Sequence, residues 1–190
     1  MKKQVLFVQG GGDGAYDADA KLAESLVRAL GPGYEVRYPE MPNQSDPHYE
    51  SWKSFLAKEI TALGDDVVLV AHSIGATIVV NALAQRKPRW SLAGLFLIAP
   101  AFVGQGGWKS EDFLPVERLG ADLPDGLPVY LYHGRDDEVV PFAHVDLYAN
   151  AIAQAHVRRL DARDHQLNNN LREVAEDIRQ LRRSRTRRRG

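Results

Sequence analysis

Apolar and polar positions along the chain switch between two spacings, and the switching predicts an α/β domain. Nearly continuous apolar runs recur at Gln4–Gln9, Val67–Val70, Gly94–Ala99 and Val129–Tyr132, the pattern of strands covered on both faces of a parallel sheet. Glu35–Tyr38 and Val157–Leu160 carry charge among their apolar residues, which assigns them to the sheet edges. Between the strands, Leu22, Leu26 and Leu30 step by four before Gly31 and Pro32, and Trp52, Leu56, Ile60 and Leu63 form a similar stripe before Gly64. Both stripes predict amphipathic helices with a glycine stop, the second capped by Asp46 and Pro47. Leu171, Val174, Ile178 and Leu181 mark a last helix, with Asn170 and Glu173 at capping-box spacing.

Strand and helix in alternation imply a three-layer sandwich of six mostly parallel strands with helices on both faces. With the charged strands outermost, the strand order is 2-1-3-4-5-6, and right-handed crossovers bring all strand C-termini to one rim. The stretch Ala101–Leu127 is the one long segment without a clear period. It leaves the rim between the fourth and fifth strands, and its length in a compact domain points to function or disorder.

The chemistry concentrates at that rim. Val67 to Thr77 reads as a buried strand, a sharp turn holding Ser73, and a helix opening with small residues. Such a turn presents a serine hydroxyl above the sheet and needs small neighbours, because strand and helix come close together. The partners of an elbow serine follow as acid and then histidine, each after a later strand. Asp137 lies in His133-Gly134-Arg135-Asp136-Asp137-Glu138-Val139-Val140-Pro141, and His165 follows Asp164 beyond the last strand. Of the six histidines, His165 alone falls where the third member belongs, since His72 lies in the elbow, His133 precedes the acid loop, and His48, His144 and His156 fall in helices or a strand. Ser73, Asp137 and His165 are therefore the candidate nucleophile, acid and base, with Asp136 the fallback acid. The competing readings are a helix cap for Ser73 and ordinary turn composition for Arg135-Asp136-Asp137.

These residues, with Val8-Gln9-Gly10-Gly11-Gly12-Asp13 after the first strand and Met41-Pro42 after the second, resemble the small serine α/β-hydrolases, in particular the compact cap-less members related to the retinoblastoma-binding serine hydrolase. The resemblance runs to about Leu181. It implies an α/β-hydrolase fold, a carboxylesterase-like activity through an acyl-enzyme on Ser73, and an oxyanion hole formed by the backbone N–H groups of Ile74 and Gly11. Two positions depart from the family pattern: Ala71 stands where a glycine is usual, and Gln9 where a histidine or small polar residue is usual. Alanine is the smallest change available there, so the expectation is an elbow slightly altered and still formed. In the long stretch, Phe102, Trp108 and Phe113 are candidate walls of the substrate pocket, with packing of the loop onto the body the competing role.

Composition adds bounds. The chain has 190 residues, 44% apolar and 26% charged, enough for one core. The expected organisation is a single domain over 1–181 and an Arg-rich tail over 182–190, frayed or disordered. No cysteine is present, which excludes a thiol nucleophile and a disulfide framework and suits a cytoplasmic location. No apolar run reaches the length of a membrane span or a signal-peptide core. Six arginines crowd the last nine residues; the other 18 of 24 basic residues face 25 acids, so the body carries about −7. That balance argues against extended nucleic-acid binding and leaves the tail as a surface for an acidic partner, or as a solvated helix end.

Two other functions compete. Gly10-Gly11-Gly12-Asp13-Gly14-Ala15 also fits the G-x-G-x-x-A pattern of an NAD(P)-binding oxidoreductase, although Glu40, the nearest acid for a ribose, follows Pro39 in an irregular stretch. A catalytically weak hydrolase-like binding module is the other. The leading expectation is a hydrolase of small-molecule esters with neither metal nor organic cofactor.

Overall fold

The computed structural model describes residues 2–85, 91–112 and 115–187, with side chains described through 181. Six parallel strands, β1 (Lys3–Val8), β2 (Tyr34–Arg37), β3 (Val67–His72), β4 (Leu92–Ile98), β5 (Val129–Gly134) and β6 (His156–Leu160), pair in the order β2-β1-β3-β4-β5-β6. The apolar runs supply the four inner strands: β3 and β4 are buried at every position, and the charged β2 and β6 close the edges. Fully covered strands need apolar side chains on both faces, whereas an edge strand tolerates arginine and glutamate.

The helices are α1 (Ala15–Leu30), α2 (Tyr49–Leu63), α3 (Ser73–Gln85), the short α4 (Leu119–Asp122), α5 (His144–Ala151) and α6 (Arg172–Arg187). One face of the sheet packs with Trp52, Leu56 and Ile60 of α2, Ile78 and Val79 of α3 and Tyr148 of α5. The other packs with Leu22 and Leu26 of α1 and Val174 and Ile178 of α6. α1, α2 and α6 thus bury the stripes their spacing predicted, Leu63 of α2 only in part, and the three layers follow.

Two helix starts differ from expectation. Asp46 does not cap α2; the helix begins at Tyr49 after an extended His48, and the Tyr49 N–H is bound by the Asp112 carboxylate from the long connection. Asn170 does serve α6, accepting from the Arg172 N–H at 3.3 Å, but Glu173 pairs with Arg163 at 2.7 Å and does not close a capping box. The connection from Ala101 to Leu127 is partly ordered by a bridge between Val103 and Trp108 and by α4. Among the described residues, no helix is long and apolar enough to cross a membrane.

Candidate active site

Ser73 sits at the junction of β3 and α3 with φ +52°, a left-handed conformation that a side-chain-bearing residue holds only under surrounding constraint. The constraint is visible in the neighbours. A Cβ on Gly75 would lie 2.0 Å from the backbone oxygen of Gln9, so the first turn of α3 rests against the end of β1 only because that residue has no side chain. Ala71, in place of the usual glycine, is completely buried in β3, and the elbow forms with it.

The hydroxyl of Ser73 does not cap the helix; it lies 3.0 Å from Nε2 of His165. Nδ1 of His165 is 2.8 Å from Oδ2 of Asp137. Ser73, His165 and Asp137 come from three loops at the C-terminal rim and form one chain of hydrogen bonds, in which Ser73 O–H donates to His165 and His165 Nδ1–H donates to the carboxylate. Asp137, and not Asp136, faces the imidazole; Asp136 uses its backbone N–H to bind Arg163 O at 3.0 Å. Gly134 permits this approach, since a Cβ there would stand 2.1 Å from the Arg163 carbonyl oxygen.

Asp137 is held firmly. Its Oδ1 accepts the N–H groups of Val139 and Val140, each at 2.8 Å, and its Oδ2 also meets Nε2 of buried His133 at 3.1 Å. Burial pushes the carboxyl up, but the hydrogen bonds from His133, His165 and Val140 outweigh it and hold the group well below the ordinary carboxylate range. It is therefore an anion at neutral pH.

The glycine loop after β1 has three N–H groups, and two are occupied. Gly10 N–H donates to Asp19 Oδ2 at 2.7 Å and Gly12 N–H to the Gln44 carbonyl at 2.7 Å. Gly11 lies between the elbow and the loop after β2: a Cβ placed on it would be 2.7 Å from Cγ2 of Ile74 and 2.8 Å from Pro47. The N–H of Ile74, in the first turn of α3, has no acceptor within its helix. The glycine loop therefore packs directly against the elbow.

Phe102 packs edge-on against Tyr148, with ring centroids 5.0 Å apart, beside the core. Its N–H donates to Nδ1 of His144 at 2.9 Å. Trp108 is 41% exposed and meets the His144 ring edge-on. Phe113 lies outside the described residues. Thr77 of α3 ties this connection down, its hydroxyl donating to Ala101 O at 2.6 Å. Among the described residues, no three His, Asp or Glu side chains converge as metal ligands would.

Several contacts around the site were not legible in the sequence. Gln9 accepts the Met41 N–H at 3.0 Å and donates to Oε1 of Gln44 at 3.0 Å, so the second departure from the family pattern supplies a clamp between the loops after β1 and β2. Asp19 is buried and binds His72, Gly10 and Gln166. Its position was open to detection: it falls three residues before Leu22 on the apolar stripe of α1, where a carboxylate requires a partner. His133 gave no such signal.

A sequence model of the serine hydrolase family matches residues 25–170. Solved structures similar in fold include the following three. The ydeN gene product of B. subtilis is 21% identical with a TM-score of 0.74, covering 95% of this chain and 98% of its own. A structure from the metagenome-derived lipolytic enzymes LipS and LipT is 19% identical at 0.67, covering 96% and 94%. CarC, a serine hydrolase involved in carbazole degradation, is 14% identical at 0.73, covering 94% and 90%. Among curated protein sequences, none matches the chain.

Proposed function

The chain belongs to the serine hydrolase family, and from that premise we propose that it cleaves a carboxyl ester or a related acyl bond through an acyl-enzyme on Ser73. The observation that carries this reading is the relay of 3.0 Å from Ser73 to His165 and 2.8 Å from His165 to Asp137. His165 takes the serine proton as the hydroxyl oxygen attacks the carbonyl carbon. Asp137 holds the imidazole with Nε2 free to accept that proton and stabilises the imidazolium that results. The N–H groups of Gly11 and Ile74 receive the developing oxyanion. His165 then protonates the leaving alcohol, and a water activated by the same imidazole releases the acid and restores Ser73.

We further propose, on the motifs of the rim loops, that the chain is akin to the compact cap-less members resembling the retinoblastoma-binding serine hydrolase. Trp108 and Phe102 are proposed as pocket walls, Trp108 for its exposure and Phe102 for its position between His144 and Tyr148. An NAD(P) role for the Gly10–Gly14 loop is disfavoured, because the N–H groups of Gly10 and Gly12 that would meet a pyrophosphate already bind Asp19 and Gln44.

A fluorophosphonate probe tests the reading. The expected result is stoichiometric labelling of the folded wild type on Ser73 and none of Ser73→Ala. Folded wild type that resists the probe and turns over no p-nitrophenyl ester would turn the assignment toward a non-catalytic binding module.

A further inference from the structure

A second imidazole lies against the first. His72, immediately before Ser73, is 1% exposed, and its ring centroid is 4.6 Å from that of His165. Nδ1 of His72 is 2.8 Å from Oδ2 of Asp19, and Nε2 is 3.0 Å from the backbone oxygen of His165. A peptide carbonyl can only accept, so Nε2 carries a proton. Asp19 is likewise an acceptor here: its Oδ2 also takes the Gly10 N–H at 2.7 Å, and its Oδ1 takes the Gln166 amide at 2.9 Å. Two N–H donors on these oxygens favour the ionised carboxylate, and with it a proton on Nδ1 of His72. Both ring nitrogens donate, which makes the ring an imidazolium.

We propose that His72 is a permanently charged positioning residue, paired with Asp19, which fixes the glycine loop, the nucleophile elbow and the His165 loop against one another. The inference rests on the hydrolase reading above for its catalytic consequence. The pair touches all three segments: Asp19 holds Gly10, His72 is covalently next to Ser73, and the two together hold the His165 carbonyl and the Gln166 side chain. The groups facing the pair are the His165 loop after β6, Asp137 after β5, and Tyr38 beyond β2, whose phenol the Asp19 charge helps keep neutral. Burial opposes charge on His72 and on Asp19, yet each holds the other ionised: the imidazole is raised above its ordinary value and the carboxyl lowered below its own.

A fixed cation beside His165 has a catalytic use. Paired with Asp19, it holds the segments that carry Ser73 and His165 in register without adding net charge to the site. The experiment begins with the full chain, wild type and Ser73→Ala, by nitrogen-15 correlation of the histidine rings. The expected result is a His72 ring with protons on both nitrogens throughout about pH 5 to 8. Loss of one proton within that window overturns the proposal. In His72→Gln, where the amide can still donate, the Asp19 charge is left uncompensated. There kcat falls about 100-fold with KM nearly unchanged. In the charge-neutral pair Asp19→Asn with His72→Gln kcat stays low as well, because the ion pair is not restored. A kcat near the wild-type value in folded His72→Gln overturns the positioning role, and the double variant supplies the kinetic answer if the single one fails to fold. Wild type without turnover or labelling would instead defeat the hydrolase reading, and the ring-proton count would still decide the charge of His72.

Discussion

Single atoms decide much of this site. Gly75 is the sharpest case, because a methyl group there would meet a backbone oxygen at 2.0 Å, and backbone cannot rotate aside as a side chain would. Gly75→Ala is expected to cost about 3 kcal/mol or more in urea unfolding and to lose fluorophosphonate labelling. Asp137 acts by charge and orientation. Asp137→Asn preserves the shape but permits the wrong His165 tautomer, and kcat for ester hydrolysis is expected to fall by about 10⁴-fold with folding retained. The same residue gives a pH signature. A carboxyl lowered in the folded state contributes stability that is present above its unfolded pKa, about 3.9, and is lost as pH falls toward the folded value. Thermal unfolding of the wild type should therefore weaken on acidification below about pH 4, and Asp137→Asn should show a shallower slope in that range.

Secondary-structure elements were legible where one physical signal dominated. Inner strands had to be apolar on both faces and edge strands did not, so the burial of β3 and β4 and the charge of β2 and β6 sufficed to set their places. The relay residues were legible for a related reason: each follows a strand, and parallel topology sends those ends to one rim. What escaped was partnership across sequence distance. Asp46 stands at the ordinary position for a cap of α2, yet Asp112, 63 residues beyond Tyr49, binds its N–H, and nothing local in the chain announces that. The clamp of Gln9 on Gln44 and the pairing of Asp19 with His72 are hidden in the same way, although the carboxylate on the apolar stripe of α1 marked one end of the second. Removing the remote cap by Asp112→Ala is expected to cost about 1 kcal/mol and to lower Tm by about 2 to 4 °C, with labelling of Ser73 intact.

At the scale of the whole molecule, the question is where the folded body ends. Ile178 is fully buried and Leu181 nearly so, both in the core layer formed by α1, α6 and the sheet. Leu181 also reaches β4, where a Cβ on Gly94 would stand 2.9 Å from its Cδ1. Beyond it come the arginines, six in nine residues, a composition with almost no apolar area to bury. The body is therefore proposed to end at Leu181, and two truncations separate this boundary from its neighbours. Ending the chain after Leu181 removes charge but no apolar packing from the described core, so Tm is expected to stay within about 2 °C, corresponding to less than about 1 kcal/mol, and ester turnover to persist. Ending it after Asp177 deletes both Ile178 and Leu181. Large-to-small changes at buried aliphatic sites cost about 2 to 5 kcal/mol each, and two of them approach the whole stability of a domain, about 5 to 15 kcal/mol. That shorter chain is expected to lose its cooperative unfolding transition by circular dichroism, and with it the rim on which Ser73, His165 and Asp137 meet. A stable, active protein ending at Asp177 would place the boundary earlier and show that α6 closes the sheet without its last turns.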